Sequence, residues 1–282
     1  MVKKTAREVT EDKTSRIMNA VALWASFYRA NPQRFCKDYL NVNLKMFQQI
    51  LIYCMALCTN FCFIAARGLG KTFLCAIFCC WKAILYPGSL IVIASKTRNQ
   101  GSLVLKKIEQ ELVPRSPLLR SEIKDITINQ SVAKITFRND SVIEVVTAAD
   151  TARGGRASLL IIDEYRMVDK EVLDLVLKKF LNYIRHPGYM DNPKYAHLAE
   201  RNQQMYLSSA WFEQHWSWDL CKDYFVNMFD TTKNYYCFRF PYQMSIKENL
   251  LLKSQVEDEM TESTFSDIRF RMENEALFIG TT

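Results

Sequence analysis

The run Ala65-Ala66-Arg67-Gly68-Leu69-Gly70-Lys71-Thr72 stands between an apolar stretch, Phe61 to Ala65, and a long helical pattern, Thr72 to Leu85, that Pro87-Gly88 stops. A strand, a glycine-bearing turn and a helix in that order form a cradle. Successive backbone N–H groups point inward at phosphate oxygens, and glycines let the backbone come that close. Gly68 and Gly70 give this freedom on either side of Leu69, Lys71 is placed to neutralise β- and γ-phosphates, and the Thr72 hydroxyl to ligate Mg²⁺. The usual pattern has glycine where this chain has Ala65.

A second acidic half lies about ninety residues on. Leu159-Leu160-Ile161-Ile162 runs into Asp163-Glu164, so a buried strand delivers Asp163 to the magnesium shell while Glu164 can take a proton from an attacking water. Together the two motifs point to hydrolysis of ATP rather than binding alone. Arginines supply positive charge where phosphoryl transfer develops negative charge. Arg67 lies inside the loop, and Arg153 and Arg156 flank Gly154-Gly155 in a turn able to reach a neighbouring subunit's nucleotide. Leu207-Ser208-Ser209 closes another predicted strand with small hydroxyl residues suited to sensing the γ-phosphate.

Outward from the loop, strands are expected at Leu90 to Ala94, Gln204 to Leu207 and Tyr235 to Phe240. Helices are expected at Ile17 to Tyr28, Leu44 to Leu57, Gln100 to Leu112, Lys170 to Ile184 and Phe212 to Met228, with short ones between Ile246 and Glu275. Between Ile126 and Val146 apolar residues alternate around the turn Arg138-Asn139-Asp140, an antiparallel pattern. Arg185 to Arg201 reads as a long surface loop. Strands alternating with helices mean a mostly parallel sheet covered on both faces.

With 282 residues, 49% hydrophobic, one main domain with appendages is expected. A net charge of +7, spread along the chain, favours an anionic partner. Nine cysteines invite a search for metal sites, but Cys54, Cys58 and Cys62 recur every four residues, as do Cys75 and Cys79, which reads as buried helix faces. His186, His197 and His215 show no ligand spacing, so no metal beyond a nucleotide-bound one is expected. Ile50 to Ala66 is apolar but broken by Thr59 and Asn60, and reads as a buried helix followed by a buried strand rather than a membrane span.

Taken in order, five features resemble the ATPase domain of the large terminase subunit, the DNA-packaging motor of tailed bacteriophages and herpesviruses. They are Phe47-Gln48 on the helix before the loop, the Arg67-bearing loop, Ala94-Ser95-Lys96-Thr97, Arg153-Gly154 leading to Asp163-Glu164, and Leu207-Ser208-Ser209. The resemblance implies an α/β P-loop NTPase of the ASCE, RecA-like type. Its parts would be a helical arm over 1–43, a core over 44–242 with an antiparallel β insertion, and a lid-like subdomain over 243–282. It also implies ATP and Mg²⁺ as cofactors, with Gln48 reading the adenine edge and Gln49 as its competitor.

By the same resemblance, Glu164 activates water, Arg153 is the first choice of trans-acting finger and Arg156 the second, and Ser208-Ser209 couples hydrolysis to movement. The implied partners are double-stranded DNA, further copies in a ring on the portal, and a small terminase subunit, in the host cytoplasm at the procapsid. Lys96, Arg98 and Arg201 are candidate phosphate contacts. Large terminases normally continue into an RNase H-like nuclease, and no strand-borne acidic cluster follows Leu207, so the chain is expected to be a motor domain unable to cleave DNA. A superfamily 2 helicase would need a second lobe, for which the roughly 120 residues after Asp163 are too few. A non-hydrolytic assembly protein is the other alternative, and Glu164 argues against it.

Overall fold

The structure, a computed structural model, describes residues 6–149 and 154–280. It opens with three helices, α1 (Ala6–Ala30), α2 (Pro32–Asp38) and α3 (Met46–Leu57). The chain then alternates: β1 (Asn60–Ala65), α4 (Lys71–Leu85), β2 (Leu90–Ser95) and α5 (Arg98–Lys107), which runs through a π turn, Ile108–Leu112, into α6 (Val113–Arg115). After α7 (Pro117–Glu122) come β3 (Ile123–Ile128), β4 (Ala133–Phe137), β5 (Val142–Thr147) and β6 (Leu159–Asp163). The remainder is α8 (Lys170–Leu175), β7 (Gln203–Ser208), α9 (Trp216–Asn227), β8 (Tyr235–Phe240), α10 (Tyr242–Lys247), α11 (Lys253–Thr261) and α12 (Asp267–Glu273).

Among the described residues, eight strands form one sheet in the order β3-β4-β5-β2-β6-β7-β1-β8. From β5 to β8 every neighbouring pair is parallel, and β3, β4 and β5 meander antiparallel. The antiparallel segment is therefore continuous with the main sheet, since β5 pairs with both β4 and β2. The central strands are buried on both faces, which their unbroken apolar sequences require. Alternation along β1 sends Phe61, Phe63 and Ala65 to one core with Leu51, Phe78, Trp81 and Leu105, and Cys62 and Ile64 to the other with Tyr165, Tyr206 and Tyr224. Among the described residues no helix is long and apolar enough to cross a membrane.

Element boundaries differ from expectation in several places: α1 begins at Ala6 rather than Ile17, and three others have a local reason. Pro32 does not merely end α1; it occupies the first turn of a new helix, where its fixed φ fits and its missing N–H costs nothing. The helix expected to run to Ile184 is α-helical only to Leu175; Val176 (φ −117°) kinks it, and a 3-10 helix, Leu177–Asn182, follows, whose Phe180 carbonyl accepts from Ala157 N at 2.7 Å. The helix expected from Phe212 starts at Trp216. Phe212 instead bridges to Ile279, and the His215 ring nitrogen accepts from Ser217 N to cap the first turn.

Gly101 lets α5 lie directly on the sheet. A Cβ there would stand 2.6 Å from Val145 Cγ1 and 2.7 Å from Ser95 Oγ. Glycine to alanine inside a helix ordinarily stabilises by about 1 kcal/mol. Here the overlap with β2 and β5 reverses the sign, and Gly101→Ala is expected to destabilise by about 1–3 kcal/mol in denaturant titration.

Candidate functional site

The site forms where β1, β6 and β7 end side by side. Register pairs Ile64 with Ser208 and Leu207 with Asp163, so the loop after β1, the acids after β6 and the serines after β7 converge on one edge. Crevices at the carboxyl ends of parallel strands are where open α/β sheets take ligands.

Gly68 (φ +82°) and Gly70 (φ +77°) are both left-handed, the conformation that lets the loop turn its amides inward. Gly70 caps α4 and has no side chain to offer its amides, which leaves the first turn open to an anion. Ala65 departs from the glycine pattern without strain. It is the last residue of β1, fully buried, and its carbonyl accepts from Lys71 Nζ at 2.8 Å. Lys71 Nζ also lies 4.0 Å from Glu164 Oε1. Burial pushes the Lys71 ammonium down, against the pull of Glu164, Asp163 and Glu273.

Gln48 is buried against the loop: a Cβ on Gly70 would stand 3.4 Å from its Nε2, and its Oε1 accepts from Lys45 N at 3.0 Å. Gln49 turns away and donates to Leu44 O at 2.9 Å. Of the two, Gln48 is the one that faces the loop.

The acids differ in environment. Asp163 is buried, and burial first, then the charge of Glu164, push its carboxyl up to about 7 against the pull of Lys71. Such a group favours a cation beside it, and with the Thr72 hydroxyl one residue after Lys71 the donor set fits Mg²⁺. Glu164 takes a left-handed backbone (φ 48°, ψ 52°), a conformation costly for a residue with a side chain. Its Oε2 accepts from Ser208 Oγ at 3.1 Å and lies 3.3 Å from Arg166 Nε.

Three residues that the sequence did not single out complete the site. Arg166, with a side chain only 10% exposed, reaches Glu273 Oε1 at 2.5 Å, donates to Ala210 O at 2.9 Å and stacks over the Trp211 ring. Glu273, at the end of α12, accepts Arg67 N on its main-chain carbonyl at 3.1 Å, and its carboxylate lies 3.3 Å from Arg67 Nε. Burial pushes the Glu273 carboxyl up, but Arg166, Arg67 and a hydrogen bond from Ser209 hold it below its ordinary value. Ser245 Oγ on α10 is buried and makes no hydrogen bond among the described residues, 4.0 Å from where a Cβ of Gly68 would stand. Arg166 follows the acid pair by two residues and could have been flagged on that ground. Glu273 and Ser245 carry no local signal.

Ser208 thus touches Glu164 while Ser209 touches Glu273, so the end of β7 joins the acid strand to α12. Arg156 is exposed at the opposite edge: it precedes Ser158, whose N–H bonds to Leu90 at the start of β2. The length of β6, about 16 Å at ~3.3 Å per residue, separates it from its own loop. Arg153 lies outside the described residues. Lys96 follows β2 on the loop edge and pairs with Asp169 at 3.7 Å, whereas Arg201 precedes β7 at the far edge. The two do not share a patch.

No curated protein sequence matches the chain. Among solved structures it is similar to the large terminase ATPase domain of Thermus phage P74-26, with a TM-score of 0.62 at 14% identity over 86% of this chain and 97% of that one. The HK97 bacteriophage large terminase gives 0.60 at 16% identity over 84% of this chain and 51% of that chain. The large terminase of another thermophilic bacteriophage, in complex with ADP, gives 0.57 at 13% identity over 84% of this chain and 54% of that chain. This chain therefore spans about half the length of the latter two proteins. A family profile described as the terminase large subunit, ATPase domain, matches residues 45–186, half of the chain and the part that holds the phosphate loop and the acid pair. The chain belongs to the family of terminase large subunit ATPase domains, the ATPases of phage DNA packaging.

Proposed function

We propose that this chain is the ATP-hydrolysing motor domain of a viral DNA-packaging terminase, driving double-stranded DNA into a procapsid. The observation that carries the reading is the meeting of Lys71 and Glu164 at 4.0 Å beside a loop held open by Gly68 and Gly70. The triphosphate lies on the amides of Arg67 to Thr72, with Gln48 against the base-proximal side and Lys71 exchanging the Ala65 carbonyl for phosphate oxygens. Thr72 and Asp163 would hold Mg²⁺, which would supply charge neutralisation for the triphosphate. Glu164, fixed by Ser208, takes a proton from water as the water oxygen attacks the γ-phosphorus and the bond to the β-phosphate oxygen breaks. The products are ADP and phosphate.

Arg67 exchanges Glu273 for the γ-phosphate, and Ser209 passes that change to α12. In a ring on the portal, Arg153 or Arg156 of one subunit completes the site of the next, a role that the far-edge position of Arg156 fits. Contacts to DNA are to phosphates, sequence-independent and salt-sensitive. The small terminase subunit and the portal would meet this ring in the host cytoplasm. Phosphate release per subunit, followed across a dilution series with linear duplex DNA, tests the shared site. Turnover should fall as the ring dissociates; constant turnover per subunit counts against it.

Arg67→Ala separates catalysis from stability. The Arg67 side chain is 74% exposed, so losing its pair with Glu273 should move the unfolding free energy by no more than about 1 kcal/mol. Phosphate release at saturating ATP should drop at least about tenfold. An unchanged kcat would remove Arg67 from the reaction.

A further inference from the structure

Cys62 on β1, Cys237 on β8 and Cys221 on α9 are far apart in sequence but have their sulfur atoms within 4.8 Å of one another. Cys62 and Cys237 are register partners on adjacent parallel strands, and α9 lays Cys221 against them, with Cys221 Sγ 3.8 Å from Cys237 Sγ. Two thiolates bound at about 2.3 Å to a tetrahedral metal stand about 3.8 Å apart, so this pair already has the spacing of metal ligands. Cys62 closes the buried side, beside the Tyr165 hydroxyl at 3.9 Å. On the other side Cys221 and Cys237 line a cleft of about 320 Å³ with Trp218, Phe225 and Arg239, open enough to admit an ion and a water as fourth ligand. We propose that Cys62, Cys221 and Cys237 bind a thiophilic divalent cation of the zinc class, tying the edge strand β8 and helix α9 to the strand that carries the phosphate loop.

Thiolates, not thiols, ligate metal. A soft ion binds the three sulfurs as thiolates and releases their protons. Three thiols set this cluster apart from a redox pair, since a disulfide would use two and leave the third against it. The role is structural: Cys62 faces the core of Tyr165, Tyr206 and Tyr224, on the opposite side of β1 from Ala65, whose carbonyl holds Lys71.

Cobalt(II) titration of the chain, reduced with a phosphine, reads the site directly. One equivalent should produce thiolate-to-cobalt charge-transfer bands and the visible bands of a four-coordinate site, and Zn²⁺ should abolish them and raise the melting temperature. Cys221→Ser and Cys237→Ser, both near the surface, should weaken Co²⁺ binding by at least about 100-fold while keeping the wild-type circular dichroism and ATP binding. Absence of charge-transfer bands overturns the proposal, as do bands that persist in the Cys221→Ser/Cys237→Ser double variant, which would place the metal on other cysteines. Loss of two thiols as a disulfide on air oxidation of the Zn²⁺-loaded chain, with no metal retained after gel filtration, also overturns it.

Discussion

Glu164→Gln is expected to bind ATP with near-native affinity and to release phosphate at least about 100-fold more slowly than the wild type. Glutamine keeps the shape of the side chain and an oxygen for Ser208 Oγ, which holds Glu164 at 3.1 Å. It cannot take a proton from water. Arg166, 3.3 Å from Glu164, retains Glu273, so the exchange does not leave a buried guanidinium unpaired. Fold and binding should therefore survive while the chemical step is lost. Nucleotide affinity by fluorescent-analogue titration and phosphate release by a coupled assay separate the two effects. Equal, non-zero kcat in both proteins would assign water activation to another group, and no release from either would revive a nucleotide-gated role without hydrolysis.

Arg166→Ala should give the largest loss of stability at the site, about 3–5 kcal/mol in denaturant titration. Arg166 and Glu273 side chains are 10% and 18% exposed, so solvent screens their pair weakly, and removing the guanidinium leaves Glu273 partly buried with exposed Arg67 as its remaining cation and Ser209 as a neutral donor. The Ala210 carbonyl and the Trp211 face lose a partner as well. The pH dependence has a definite sign. The folded-state Glu273 carboxyl is held below its ordinary value, so its stabilisation is present above the unfolded carboxylate range and is lost as pH falls through the folded value. Arg166→Ala should flatten that acid-side decline. A variant as stable as the wild type at neutral pH would show that α12 is held to the core by packing instead.

The central strands were legible because burial on both faces demands apolar sequence. Leu159–Ile162 and Phe61–Ala65 could hardly be anything else, and the glycines at 68 and 70 marked the turn between strand and helix. Helix ends were less legible, since α8 stops short of the bond from Ala157 N to Phe180 O and α9 starts only after Phe212 has paired with Ile279, contacts that local propensity does not encode. Of the residues that converge beside the loop, those contiguous with a motif are legible in the sequence: Lys71, Asp163, Glu164, Ser208. Glu273 was not, because nothing near it in sequence shows that α12 returns to Arg67 and Arg166. The cysteines show the same limit from the other side. A spacing of four from Cys54 through Cys62 suggests one helix face, yet α3 ends at Leu57 and Cys62 belongs to a strand, where its neighbours are Cys237 and Cys221.

Hydrolysis at the loop between β1 and α4 is tested most directly by phosphate release from the wild type and from Lys71→Ala, at saturating ATP and magnesium with linear duplex DNA present. The geometry predicts saturable release from the wild type and at least about 100-fold less from Lys71→Ala. Release that is equal in the two proteins, or no release from a wild-type chain shown to bind ATP, would contradict it.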